Sequence, residues 1–230
     1  MKKIGTLLTV GLIAGAGAMA HAGTLDVNFG SDNDGFGGFT AGGHGTWSEQ
    51  AKAINFDREA DNSDRNGRLM TNAFTGGRAL SKAAGSSYTF TSVIQYTSSS
   101  GSGRSRNVSM VLFGADSGSF GITLKMLEAR NTFQIDLGLN EWSSQNTPGA
   151  RKTWEGAKFA SGAVFTLVGT VTFTEDDAMI SFTLTDNTAR PFSDTVTRTI
   201  PKSSLSGDFH GVATRNRGLN FDVISFTATP

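Results

Sequence analysis

Polar and apolar residues alternate one for one through much of the second half of the chain. From Val164 to Thr174, one face holds Phe165, Leu167, Gly169, Val171 and Phe173; the other holds Thr166, Thr170, Thr172 and Thr174. A period of two marks a strand with one buried face. Tyr88 to Tyr96 repeats the pattern, with Tyr88, Phe90, Ile94 and Tyr96 on one side. Ala178 to Thr185 repeats it again, with Ile180, Phe182 and Leu184 facing in. Glu175-Asp176-Asp177 reads as the turn between two of these strands. Val108–Phe113 and Phe120–Met126 read as strands joined by a hairpin-type turn over residues 114–119. Phe133–Leu139, Thr195–Ile200, His210–Thr214 and Leu219–Thr227 complete the predicted set. Many short strands separated by turns predict an all-β fold: a two-sheet antiparallel β-sandwich.

The first part of the chain alternates less. Thr24–Phe29 reads as a short strand, and residues 30–45 as a loop rich in glycine and aspartate. Residues 48–68 hold the densest charge, and the pattern there predicts a loop or a short helix over Ser48–Phe56. Residues 140–158 read as a long polar loop carrying Trp142 and Trp154.

Composition agrees with strands. The 230 residues include 29 glycines and 17 phenylalanines but only 4 prolines, and 17% are charged. Residues 1–22 read as a bacterial-type secretory signal peptide: Lys2 and Lys3, then an uncharged apolar run to Ala20, then Ala20-His21-Ala22 as an A-x-A cleavage site. The run is short for a membrane span. The expected product is a single domain over residues 23–230. It is secreted, periplasmic or held at the cell surface, and it has no membrane span. Without Lys2 and Lys3, 18 basic residues face 20 acidic ones, a net charge of −2. That balance gives no electrostatic case for nucleic acid. The chain contains no cysteine, which excludes thiol catalysis, cysteine zinc sites and a lipid-modified cysteine anchor.

Three stretches resemble the concanavalin A-like, or laminin G-like, jelly-roll domains of secreted bacterial proteins. SYTFTSVIQY followed by NVSMVLFGADSGSFGITLKM resembles the paired central strands. SGAVFTLVGTVTFTEDDAMISFTLTD resembles a strand–turn–strand unit, and FHGVATRNRGLNFDVISFTA the closing strands. The resemblance covers roughly residues 80–230 and implies a jelly roll. Its members include lectins, polysaccharide hydrolases and domains of other roles, so fold alone selects no function. Hydrolytic members carry Glu-x-Asp-x-Glu on one strand, and that string is absent here. The resemblance also implies that a structural calcium can tie the first strand to the last, with Asp26 and Asp222 as candidate ligands.

No catalytic constellation emerges. Asp116-Ser117-Gly118 lacks a paired base, and beyond the signal only His44 and His210 remain, far apart in sequence. Asp32-Asn33-Asp34-Gly35 offers alternate oxygen ligands before a turn glycine, a pattern that suits calcium. Trp47, Trp142 and Trp154 fall in predicted loops or at their edges, where an indole either stacks on a sugar ring or caps the core. Arg104, Arg106, Arg215 and Arg217 flank polar turns; they are either solvated or suited to an anionic polysaccharide. The leading expectation is a non-catalytic binding module for extracellular carbohydrate. The alternatives are a structural or adhesive envelope or matrix protein that binds surface proteins, and a glycan hydrolase with a non-standard acid pair, either Asp136 with Glu141 or Asp57 with Glu59.

Overall fold

The computed structural model describes residues 25–28, 36–43, 46–50, 53–57, 66–72, 79–99, 106–115, 121–129, 132–139, 151–155, 162–187, 192–205, 207–216 and 219–230. The strands are β1 (Leu25–Asn28), β2 (Thr40–Gly43), β3 (Thr46–Gln50), β4 (Ala53–Asp57), β5 (Asn66–Thr71), β6 (Ser87–Ser99), β7 (Arg106–Gly114), β8 (Ile122–Ala129), β9 (Thr132–Leu139), β10 (Arg151–Glu155), β11 (Val164–Phe173), β12 (Asp177–Asp186), β13 (Phe192–Pro201), β14 (Phe209–Asn216) and β15 (Leu219–Thr229). Two single-turn 3-10 segments accompany them, Phe36–Gly38 and Lys202–Ser204.

The strands form two antiparallel sheets. One runs β13-β12-β11-β6-β15-β4-β3, with β1 also on β15; the other runs β10-β9-β8-β7-β14-β5-β2. Strand β15 is shared along one edge: Phe221–Val223 pair with β4, and Ser225–Ala228 pair with β1. The predicted alternation holds where it is strongest. Phe165, Leu167, Val171 and Phe173 are buried, while the threonines between them are half-buried.

The structure corrects the first part of the chain. The predicted loop or helix over 48–68 is instead the hairpin β3–β4 followed by the start of β5. Its alternation is too short to read alone, and its partners, β15 and β14, lie far along the chain. Thr40–Gly43, read as loop, is an edge strand on β5. Arg151–Glu155, also read as loop, is the opposite edge strand, on β9.

The core between the sheets is dominated by phenylalanine, with Phe90, Phe113, Phe165, Phe173, Phe182, Phe221 and Phe226 fully buried. The sheets come closest at Gly169 in β11. A Cβ there would collide with Leu124 Cδ1 and press on Leu112 Cδ1 at 3.3 Å and Met110 Cε at 3.4 Å, all on the facing sheet. One side of the sandwich is closed by an ion pair between Lys152 of β10 and Asp194 of β13.

The outward face of the first sheet is a field of hydroxyls. One row across it reads Thr195, Thr183, Val168, Thr91, Thr227; the next reads Thr197, Ser181, Thr170, Thr89, Thr229. Neighbouring hydroxyls bond to each other, Thr183 to Thr195 at 2.7 Å and Thr185 to Ser193 at 3.0 Å. The first row ends on Asp26 of β1, opposite Thr227.

Candidate functional site: the outward face of the seven-stranded sheet

The second sheet behaves differently. Residues 108–114, 121–126, 135–137 and 210–214 are buried without a break. Val108, Met110, Leu112, Leu124, Met126, Ile135, Leu137 and Val212 join the main core. Strand geometry sends the residues between them to the other face. There Met70, Val111 and Ala213 form a separate apolar cluster, with Phe209 packed against it.

Beside that cluster the register lines up polar residues. One row crosses all seven strands as Arg151, Asp136, Lys125, Ser109, Ala213, Arg68, Gly42. Lys125 and Asp136 are each only 2% exposed, and Ser109 is wholly buried. Burying an ammonium and a carboxylate is costly unless each faces a polar partner. The register sets these two directly opposite one another. The adjoining row contains Gly138, Thr123, Val111, Gly211, Met70 and Thr40. Thr123 is also wholly buried. Ser109 Oγ and Thr123 Oγ1 have no hydrogen-bond partner in the structure. A buried hydroxyl left so is destabilising by about 1–3 kcal/mol, which singles out the pair as groups with bonding capacity to spare.

Chemically, this face carries hydroxyls, a carboxylate and an ammonium, all closed off from solvent. Among the described residues it does not carry paired carboxylates. Among the described residues, the other acid in this register is Glu155, four residues along β10 from the position opposite Asp136. That places the two backbones roughly 14 Å apart, beyond the spacing of about 5–9.5 Å that glycoside hydrolysis uses. Glu141 and Glu59, named in the sequence-based acid pairs, lie outside the described residues.

The other sequence-based candidates are dispersed. Trp47 is in β3, not a loop; it is half-buried and packs edge-on against Phe221, with centroids 5.9 Å apart. Trp154 is in β10, in register with Phe133. Trp142, Asp32, Asp34, His44 and the turn at 116–118 lie outside the described residues, as does the whole of 1–22. The expectation that the first strand meets the last is met, since β1 pairs with β15, but Asp26 stands opposite Thr227. Asp222 is five residues further along, between Asn55 and Gln95. About 16 Å separates Asp26 from Asp222, so a single calcium ion does not fit both. Among the described residues no group of three or more His, Asp or Glu is placed to hold a metal ion.

His210 is a structural residue. It is fully buried, stacked on Phe90 at 4.9 Å and edge-on to Phe113 at 4.7 Å. Strand β7 bulges opposite it, and Phe113 takes a left-handed backbone conformation (φ 57). The bulge turns the Phe113 N–H to His210 Nδ1, 3.3 Å away, so that nitrogen accepts and the imidazole is neutral. Burial, followed by the nearby Lys82 charge, pushes its pKa down to about 3. Lys82 covers this corner: its Nζ donates to the Gly207 carbonyl at 2.9 Å, lies 3.3 Å from Asp208, and sits 5.6 Å from the centre of the Phe113 ring.

Two sheets of this order, with β15 inside one and β14 inside the other, define a concanavalin A-like jelly roll. Similar solved structures are legume lectins. The chain matches the lectin UEA-II, solved with galactose, at 14% identity and a TM-score of 0.57, covering 89% of this chain and 98% of that one. It matches a Lotus tetragonolobus seed lectin at 9% identity and 0.61, covering 89% and 97%. It also matches the CBM2 module of the evolved Dit protein of Lactobacillus casei BL23 phage J-1, at 12% identity and 0.53, covering 90% and 96%. No protein-family model matches the sequence, and no curated protein does.

Proposed function

We propose that the protein is a non-catalytic carbohydrate-binding module acting outside the cytoplasm, with residues 1–22 as its leader. The observation that carries the reading is the pair of antiparallel seven- and eight-stranded sheets, an architecture this chain shares with lectins and a carbohydrate-binding module. Lectins solved with sugars, and a carbohydrate-binding module of the same fold, support it. Trp142, in the stretch between β9 and β10, is the aromatic residue we propose for stacking on a sugar ring.

The test is a glycan-array and affinity-electrophoresis screen, with retention on at least one polysaccharide expected. Ser109→Ala should leave the melting temperature level or raise it, because a buried hydroxyl without a partner is lost. Failure of the unaltered protein to bind any polysaccharide would overturn the proposal. The hydroxyl field on the outward face of the first sheet favours a second reading, an adhesive matrix protein that associates through that face. Sedimentation as a strict monomer at high concentration would remove it.

A further inference from the structure

We propose that two copies of the chain join edge to edge through strand β13, antiparallel about a twofold axis at Val196, so that one sheet runs on through both. The pairing is independent of the carbohydrate reading.

Length is the first observation. An edge strand offers unpaired backbone groups, and folded proteins keep such strands short, charged or covered. The other strands at sheet edges are short: β1 and β2 have four residues, β3 and β10 five. Strand β13 has ten, all paired with β12 on one side. Among the described residues, no strand lies on its other side.

Backbone parity is the second observation. The Lys202 N–H donates to the Asp176 carbonyl at 2.8 Å, one step past the Asp177–Pro201 pair. Residues of an antiparallel ladder alternate between bonding the neighbouring strand and facing away from it. Even-numbered residues of β13 therefore bond β12, and Ser193, Thr195, Thr197 and Thr199 turn their N–H and C=O groups to the open edge. Pro201, which has no N–H to give, falls in the same odd-numbered set. The Thr195 N–H accordingly donates to a side chain, Asp194 Oδ1, at 2.7 Å.

Complementarity is the third observation. An axis at Val196 sets Thr195 opposite the partner's Thr197 and Ser193 opposite the partner's Thr199, so all four open-edge residues find backbone partners. It also sets Asp194 opposite the partner's Arg198, twice. An axis at Thr195 or Thr197 would set Asp194 opposite Val196 or Ile200 instead. Lys152 and the Thr195 N–H both address Oδ1 of Asp194, which leaves Oδ2 to accept from a guanidinium. The half-buried Arg198 side chain has no hydrogen bond or ion pair among the described residues. On pairing, the Thr195 N–H passes from the carboxylate to the carbonyl of the partner's Thr197.

The experiment uses the full chain in sedimentation at rising concentration. A doubled mass is expected, and a monomer at the highest soluble concentration overturns the proposal. Arg198→Asp sets like charges opposite one another at two places and should weaken the dimer about tenfold or more. Thr197→Pro removes an N–H that β12 does not use, so it should abolish the dimer with little change in melting temperature. If one of these variants fails to fold, the other decides. The chain has no cysteine, so Val196→Cys can form a disulfide only between copies. A facing pair of this kind sets its Cα atoms about 4.5 Å apart, within disulfide reach, and oxidation should give a covalent dimer. Cross-linking through Thr195→Cys or Thr197→Cys in its place overturns the register. A dimer unchanged in a folded edge variant overturns the edge and points to the hydroxyl face.

Discussion

His210 shows how one side chain can be recruited by a backbone irregularity. The bulge in β7 leaves the Phe113 amide pointing into the core, and a neutral imidazole accepts from it. The folded pKa, about 3, lies below the ordinary value of 6.5. As pH falls through about 6.5 the unfolded chain takes up a proton that the folded chain refuses, so stability falls by up to about 1.4 kcal/mol per pH unit until the folded pKa is reached. Lys152 also lowers the pKa of Asp194, but that effect acts at lower pH and is small for an exposed pair. Urea midpoints should therefore drop between about pH 6.5 and 4.5, and His210→Phe should abolish that slope. The variant should also be less stable at neutral pH by about 1–3 kcal/mol, because the Phe113 N–H loses its acceptor. A flat wild-type profile would contradict the neutral-histidine assignment. Gly169 makes a second residue-scale case. Gly169→Val is expected to destabilise by about 1–3 kcal/mol through overpacking against Leu124, and pairing it with Leu124→Ala should restore part of the loss.

At the scale of elements, the polar row depends on register. A one-residue slip of β8 would move Lys125 into the phenylalanine core. Lys125→Met leaves Asp136 buried without the cation opposite it, and should cost about 3 kcal/mol or more in thermal unfolding. Adding Asp136→Leu should recover much of that. Three central strands of this row were legible: 108–113, 120–126 and 133–139 all read as strands from their apolar pattern. Their shared face was not, because it joins residues scattered from Gly42 to Arg151 that only meet across strands. One signal was present. Ser109 lies between Val108 and Met110, Lys125 between Leu124 and Met126, and Asp136 between Ile135 and Leu137, a lone polar residue inside each of three apolar strands. The edge strands β2 and β10 were illegible for another reason. They are short, glycine-rich in one case and polar in the other, and their conformation is fixed by a distant partner rather than by local alternation.

At the scale of the whole molecule, the two sheets differ in chemistry: rows of hydroxyls on one, a buried polar row with Lys125 and Asp136 on the other. The fold that separates them is assembled mostly from long-range pairs. Strand β6 lies between β11 and β15, and β7 between β8 and β14. Both late strands, β14 and β15, occupy the interior of their sheets. A chain stopped after Asp208 is therefore expected to show no cooperative transition by calorimetry, although thirteen of the fifteen described strands would be present.

That placement of β15 also sets a clock on the newborn chain. At a synthesis rate of about 5–20 residues per second, β6 waits on the order of ten seconds after leaving the ribosome before its central neighbour exists. Throughout that interval the long aromatic strand has one side without its partner, and neither sheet can close. The polypeptide stays an open thread until β15 has emerged, which leaves time for a chaperone or a transport channel to engage it before the sandwich locks.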